Sequence, residues 1–237
     1  MKVIVTMAGA GARLKDFSHI PKPLITVGND TILGHSLATF PYCNSTDDLE
    51  FIYVIRKSHE EAYRVSDYVS SIPKFHSYHL VEDTKGQADT LYQVLRLFDR
   101  DEEFMVLCAD NYIDMDFPKY RDNAHNFDVY LTTFIEDKFS NKFAYATFEG
   151  DTLRIYEKLC PSDDAMALAG LFYFKSVGDF QDYYEMLVDS GATIHKEHYI
   201  SAVVDLMSQE GKNVGRFLTQ GMWSLGSKEE IQEFLDA

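Results

Sequence analysis

KVIVTMAGAGARLKDFSHIPKPLI, residues 2–25, decides how the rest of the chain is read. Residues 2–8 are short, apolar and β-branched, and Gly9 stops them, so they read as a buried strand. A glycine-rich turn follows, then Arg13, then Lys22 between Pro21 and Pro23. A phosphate-binding P-loop would need a Lys-Ser/Thr pair after its second glycine, and none is present. A dinucleotide fingerprint would need a third glycine where Leu14 stands. A plain tight turn remains open, because glycine also supplies unusual backbone angles. The cations shift the balance toward phosphate. Glycines let backbone N–H groups approach phosphate oxygens, and Arg13 adds a planar fork that matches them. The flanking prolines stiffen the backbone around Lys22, which suits a preplaced point charge.

Outward from this stretch, the spacing predicts a helix over 31–40, a strand over 50–55 and a helix over 58–69 with Ser58 and Glu61 as a capping box. A strand over 77–81 follows, then a helix just past Gly86 carrying Leu91, Val94, Leu95 and Phe98 on one face. Residues 103–110, EFMVLCAD, read as the central strand, ending on an acid. This β-α-β-α-β-α-β order predicts a mostly parallel sheet with helices on both faces. After residue 128 the strand-like stretches 128–135, 143–149, 152–159 and 169–176 predict a mixed sheet. Helices return at 179–187, 200–209 and 228–235, the last with Ser227 and Glu230 as a capping box. The expected architecture is an α/β fold, a three-layer α/β/α sandwich with a mostly parallel central mixed sheet. It is expected as one domain over 1–237, with a nucleotide-binding half at about 1–125 and an acceptor-binding half at about 126–237.

The composition sets limits. The chain has 237 residues and a formal net charge of −16, which disfavours nucleic-acid partners. It has no apolar run long enough to span a membrane and no signal-peptide pattern, so a cytoplasmic protein is expected. Its cysteines, Cys43, Cys108 and Cys160, lack the spacing of a zinc site or a disulfide framework, and Cys108 reads as a small core residue. An anionic substrate then requires that a few cations gather at one pocket, which draws attention to Arg13, Lys22 and Lys158.

The pattern A-G-x-G-[TSA]-R-L…P-K-P-L after a first strand resembles the signature of nucleotidylyltransferases that activate sugar 1-phosphates. GQADTL at 86–91, CADNYI at 108–113, KFAYATF at 142–148, YEKL at 156–159, AGLFYF at 169–174, KEHYIS at 196–201 and WSLGSKEEIQEFL at 223–235 resemble later segments of that family in the same order. The resemblance implies a Rossmann-like nucleotidyltransferase fold. It also implies a reaction in which an acceptor phosphate oxygen attacks the α-phosphorus of a nucleoside triphosphate and pyrophosphate leaves. Protein catalysis of such a step is largely positioning and charge neutralisation.

By the same resemblance Ala8, Gly9, Ala10 and Gly11 present the nucleotide loop, Arg13 grips the triphosphate, and Lys22 reaches the α-phosphate. Gly86 and Gln87 face the base, with a lean toward a pyrimidine, and Asp110 holds Mg²⁺. On the acceptor side stand Asn111, Ala144, Glu157, Lys158, Gly170 and Glu197, with Lys158 on the acceptor phosphate and Ala169 and Gly170 leaving room. The implied product feeds surface polysaccharide or glycoconjugate assembly. A homo-oligomer is compatible with the sequence.

Simpler roles stand beside these. Asp110 could cap a turn, Gln87 could merely begin a helix, and Glu157–Lys158 could be an ordinary exposed pair. His195 and His198 read as surface or acceptor-pocket residues because no third metal ligand is evident. Asp114 and Asp116 read as a solvated acidic loop. The sequence also departs from the family pattern. The second metal acid, expected in W-x-D-x-G-[TS], falls on Ser224, and the interval from Arg13 to Lys22 is about one residue short. The family's glycine after an aromatic appears as Ala144 after Phe143. Alternatives are therefore a cytidylyltransferase for a phosphocholine-like or other small non-sugar phosphate, and a non-catalytic nucleotide- or sugar-phosphate-binding homologue. An NAD-dependent oxidoreductase is remote because the glycine spacing is wrong.

Overall fold

In a computed structural model of the chain, the described residues are 1–9, 11, 14, 19–40, 48–136, 140–150, 152–193 and 196–237. The first strand, β1 (Lys2–Thr6), is followed by a 3-10 turn at Lys22–Leu24, a small hairpin of β2 (Thr26–Val27) and β3 (Asp30–Thr31), and helix α1 (Ile32–Leu37). Next come β4 (Glu50–Arg56), α2 (Lys57–Tyr63), α3 (Val65–Ser70), β5 (Ser77–Val81), α4 (Gln87–Leu95), β6 (Phe104–Cys108), β7 (Asn111–Asp114) and α5 (Phe117–Ala124). The chain continues through β8 (Val129–Phe134), β9 (Ala144–Glu149), β10 (Thr152–Glu157), β11 (Met166–Phe174), α6 (Val177–Asp189) and α7 (Ile200–Gln209). It ends with β12 (Val214–Leu218), β13 (Gly221–Ser224) and α8 (Lys228–Leu235).

The main sheet runs β10-β9-β11-β6-β1-β4-β5, with β8 and β12 attached beside β11. The block β6-β1-β4-β5 is parallel, and β11 enters antiparallel to β6. Alternation along β1 sorts the core into two layers. Val3 and Val5 pack with Leu33, Leu37, Val65, Phe117 and Tyr120 of α1, α3 and α5. Ile4 packs with Leu91, Val94, Phe180 and Val203 of α4, α6 and α7. Helices thus cover both faces, and the fold is the expected α/β arrangement with a mostly parallel central sheet. No helix among the described residues is long and apolar enough to cross a membrane.

Several local expectations change. The expected helix over 58–69 is two helices broken at Arg64, whose φ is +50°. Glu60 accounts for the break: its carboxylate accepts from the Ser66 N–H at 2.8 Å and the Ser66 hydroxyl at 2.6 Å. That contact caps α3 and turns Val65 and Val69 into the core, whereas α2 buries none of its residues. Ser58 lies inside α2, so the expected capping box does not form. The stretch expected as an acidic loop is ordered: Asp114 ends β7, and Asp116 caps α5 by accepting from the Lys119 N–H at 3.1 Å. The short strands β7, β12 and β13 carry too little periodicity to be expected from the sequence.

Candidate active site

Parallel strands β1 and β6 end side by side, with Thr6 opposite Cys108. Ligands in open α/β sheets bind at this carboxyl edge. Beyond β1, Ala8 is buried, Gly9 has open space where a Cβ would stand, and Gly11 takes a positive φ of +62° against the Lys22 side chain. Ala10 and Arg13 lie outside the described residues. Lys22 begins the 3-10 turn after Pro21, and its ammonium pairs with the Asp110 carboxylate. The lysine side chain is only 14% exposed, so this pair is held and not merely solvated. Asp110 sits two residues past β6, and its carbonyl accepts from the Leu225 N–H at 2.8 Å. The sequence motifs containing Lys22, Asp110 and Leu225 thus meet at one point.

Gln87 is the first residue of α4. Its Nε2 donates to Thr6 Oγ1 at 2.9 Å and to Cys108 Sγ at 3.0 Å. Burial, with Asp110 adding to it, pushes the Cys108 thiol up to about 12. Gln87, expected on the nucleotide side, and Gly170, expected on the acceptor side, both border Cys108.

Gly86, with φ +130°, could not carry a side chain: a Cβ there would lie 2.5 Å from the His198 carbonyl oxygen. The two loops are stapled by backbone bonds, Ala88 N–H to His198 C=O at 3.0 Å and His198 N–H to Lys85 C=O at 2.7 Å. His198 is therefore not a surface residue. It is buried, with Nδ1 3.2 Å from the Tyr184 hydroxyl. His195 lies outside the described residues.

On the other side, Ala144 opens β9 directly opposite Glu157, which closes β10. Lys158 follows with φ +54°, its N–H bonded to Phe143 C=O at 2.9 Å and its ammonium to the Tyr199 hydroxyl at 2.7 Å. The Ser201 hydroxyl donates to the Glu157 carboxylate. These contacts tie the Glu-Lys pair to the start of α7. A cavity of about 460 Å³ lies beside it, lined by Glu157, Glu197 and Asp205 over Ile155, Met186 and Leu206. The space left by Gly170 is already used. It sits in the irregular stretch of β11, and a Cβ there would meet Asn111 Nδ2 at 2.6 Å and Cys108 Cβ at 3.1 Å. The Asn111 amide donates to the Ala169 carbonyl at 2.9 Å, and Ala169 itself is core.

Ser224 lies across from Asn111 in the β7–β13 ladder, beside the Asp110 segment. Its hydroxyl donates to the Glu230 carboxylate at 3.0 Å, which also accepts from the Gly226 N–H at 3.0 Å. Of the expected capping box, the serine half forms: the Ser227 hydroxyl accepts from the Glu230 N–H at 3.3 Å. The glutamate side chain, however, reaches back to the strand end. This use of Glu230 was hidden in sequence, since it depends on where β13 stops. Among the described residues no group of three His, Cys, Asp or Glu side chains could hold a metal. The hard oxygens of Asp110, completed by substrate phosphates and water, still match what Mg²⁺ favours.

A parallel-sheet edge with glycine turns and a lysine–aspartate pair fits an α/β fold that binds phosphorylated ligands. The sequence matches the Nucleotidyl transferase family over residues 2–234. The chain belongs to that family and is a nucleotidyltransferase. No curated protein matches it by sequence. Among solved structures it is similar to the nucleoside-diphosphate-sugar pyrophosphorylase of Vibrio cholerae RC9, with 21% identity, a TM-score of 0.79 and complete coverage of both chains. It is also similar to the inositol-1-phosphate CTP transferase of T. maritima, with 16% identity and a TM-score of 0.69 over 97% of this chain and 90% of the other. A UDP-glucose pyrophosphorylase complexed with UDP-glucose matches with 15% identity and a TM-score of 0.76 over 98% of this chain and 95% of that one.

Proposed function

We propose that the protein transfers the nucleotidyl group of a pyrimidine nucleoside triphosphate to a small phosphorylated acceptor, with a sugar 1-phosphate as the leading candidate. An acceptor phosphate oxygen attacks the α-phosphorus, the bond to the β-phosphate oxygen breaks, and pyrophosphate leaves. The observation that carries this reading is the partly buried Lys22–Asp110 pair at the sheet edge, just past the Cys108 strand end that Gln87 and Gly170 both border. Lys22 supplies positive charge near the transferring phosphate, and Arg13 is assigned to the departing pyrophosphate from its motif. Lys158, anchored on Tyr199, is assigned to the acceptor phosphate, and Glu157 and Glu197 to acceptor hydroxyls. Mg²⁺ is the metal we assign to Asp110; when bound it neutralises phosphate charge. Ser224 takes the place of a second carboxylate, with Glu230 holding its proton.

The product would serve surface polysaccharide or glycoconjugate synthesis, in the cytoplasm where nucleoside triphosphates are held. A second reading, a phosphocholine-like acceptor, is favoured by Glu157 and Glu197 on the cavity wall, which suit an ammonium group, whereas Asp205 is already taken by Arg154. The test is pyrophosphate release with Mg²⁺, each of five nucleoside triphosphates, and a panel of sugar 1-phosphates plus phosphocholine. Release with one pairing is the expected result. No release by folded protein with any pairing would sink the assignment.

A further inference from the structure

Tyr199 stands one residue before α7, at the position that caps the helix, yet its side chain makes no capping bond. Serine, threonine, aspartate or asparagine is favoured there, because a short side-chain oxygen reaches the free N–H groups of the first turn. The tyrosine uses its hydroxyl elsewhere: the Lys158 ammonium donates to it at 2.7 Å. The direction of that bond is fixed, since an ammonium has protons to give and no lone pair to receive one. Both ends of the contact are anchored through the backbone. Lys158 takes a left-handed φ of +54°, which costs energy for a residue with a side chain, and its N–H is bonded to the Phe143 carbonyl at 2.9 Å. Tyr199 follows His198, whose N–H and carbonyl are bonded to Lys85 and Ala88 on either side of Gly86. The phenol therefore connects the loop at the start of α4 to the lysine that follows β10.

We infer that Tyr199 is a positioning residue for the acceptor: its hydroxyl holds the Lys158 ammonium in place relative to the nucleotide loop and leaves two of its N–H donors for an acceptor phosphate. The inference rests on the reading above that Lys158 meets that phosphate. A lysine side chain with no such anchor keeps its rotamer freedom until the ligand arrives, and binding must then remove it. Held by Tyr199, the ammonium is ordered before the acceptor enters.

The test is steady-state pyrophosphate release with Mg²⁺, using the pair from the panel above that turns over, with glucose 1-phosphate and phosphocholine as acceptor probes. It compares the unaltered chain with Tyr199→Phe, Lys158→Met and the double variant, each first shown to be folded. Tyr199→Phe keeps the ring and removes only the hydroxyl. Its acceptor KM should rise ~3–10-fold, the cost of immobilising one long side chain at binding. The nucleotide KM should stay within ~2-fold of the parent value. In the Lys158→Met background Tyr199→Phe should add nothing, because no ammonium is left to hold. A tyrosine with a purely structural role would cause the same loss in both backgrounds. Should Lys158→Met turn over too slowly to follow, calorimetric binding of the same acceptor probe to the four chains reads the same cycle. An acceptor KM unmoved by Tyr199→Phe or by Lys158→Met, or an equal rise in both backgrounds, overturns the inference and leaves the transferase reading standing. Absence of release by the folded parent chain with every pair removes that reading and the inference with it.

Discussion

Asp110 and Lys22 form one unit at the residue scale, because each side chain is held by the other at the sheet edge. Asp110→Asn keeps the shape and removes the charge. Pyrophosphate release should fall at least ~100-fold, consistent with losing a principal electrostatic group. Near-normal turnover in the presence of Mg²⁺ would count against Asp110 as the metal carboxylate. Gly170 is a different case, in which space and backbone conformation are both spent. Its φ is +100°, and a Cβ would press on Asn111 and Cys108. Gly170→Ala should destabilise the protein by ~2 kcal/mol or more, read from a urea melt. A melt unchanged from that of the parent protein would show that Asn111 moves aside easily.

At the scale of elements, two junctions carry measurable strain or capping energy. Arg64 sits between α2 and α3 in the left-handed region, where an L side chain is strained and glycine is not. Arg64→Gly should stabilise by ~0.5–1 kcal/mol in chemical denaturation, offset only slightly by the loss of the exposed Arg64–Asp67 pair. A loss of stability would mean that the pair or the arginine stem matters more than the backbone angle. Ser227 caps α8 by accepting from the Glu230 N–H. Ser227→Ala should cost ~1 kcal/mol. It should also loosen Glu230 from Ser224 and Gly226, so activity should drop along with stability. Stability lost with activity fully kept would separate the cap from the site.

For the whole molecule the dominant fact is charge. A net −16 on 237 residues makes the compact state repel itself, and added salt screens that repulsion. Raising KCl from low to ~0.5 M should lift Tm by on the order of 2–4 °C. A fall in Tm would show that favourable ion pairs such as Arg154–Asp205 outweigh the net repulsion.

Much of this molecule is legible in its sequence alone. Residues 2–6 and 104–108 announce themselves as buried strands because each is short and apolar, and 50–56 and 77–81 also read as strands, although 77–81 is half exposed at the sheet edge. α7 and α8 fall where their periodicity places them, and the Ser227 cap forms. These features are local: the residues that define them are neighbours in the chain. What only the tertiary structure decided is everything that depends on distant partners. The expected helix over 58–69 broke because Glu60 found Ser66, and β13 exists only because β7 pairs with it. His198 is buried because its backbone clamps the Gly86 loop, far away along the chain. The Gln87 amide reaches Thr6 and Cys108, which become neighbours only through the parallel register of two strands. Periodicity and turn chemistry act over a few residues, whereas strand register and loop-to-loop bonds are settled only when the chain has folded back on itself.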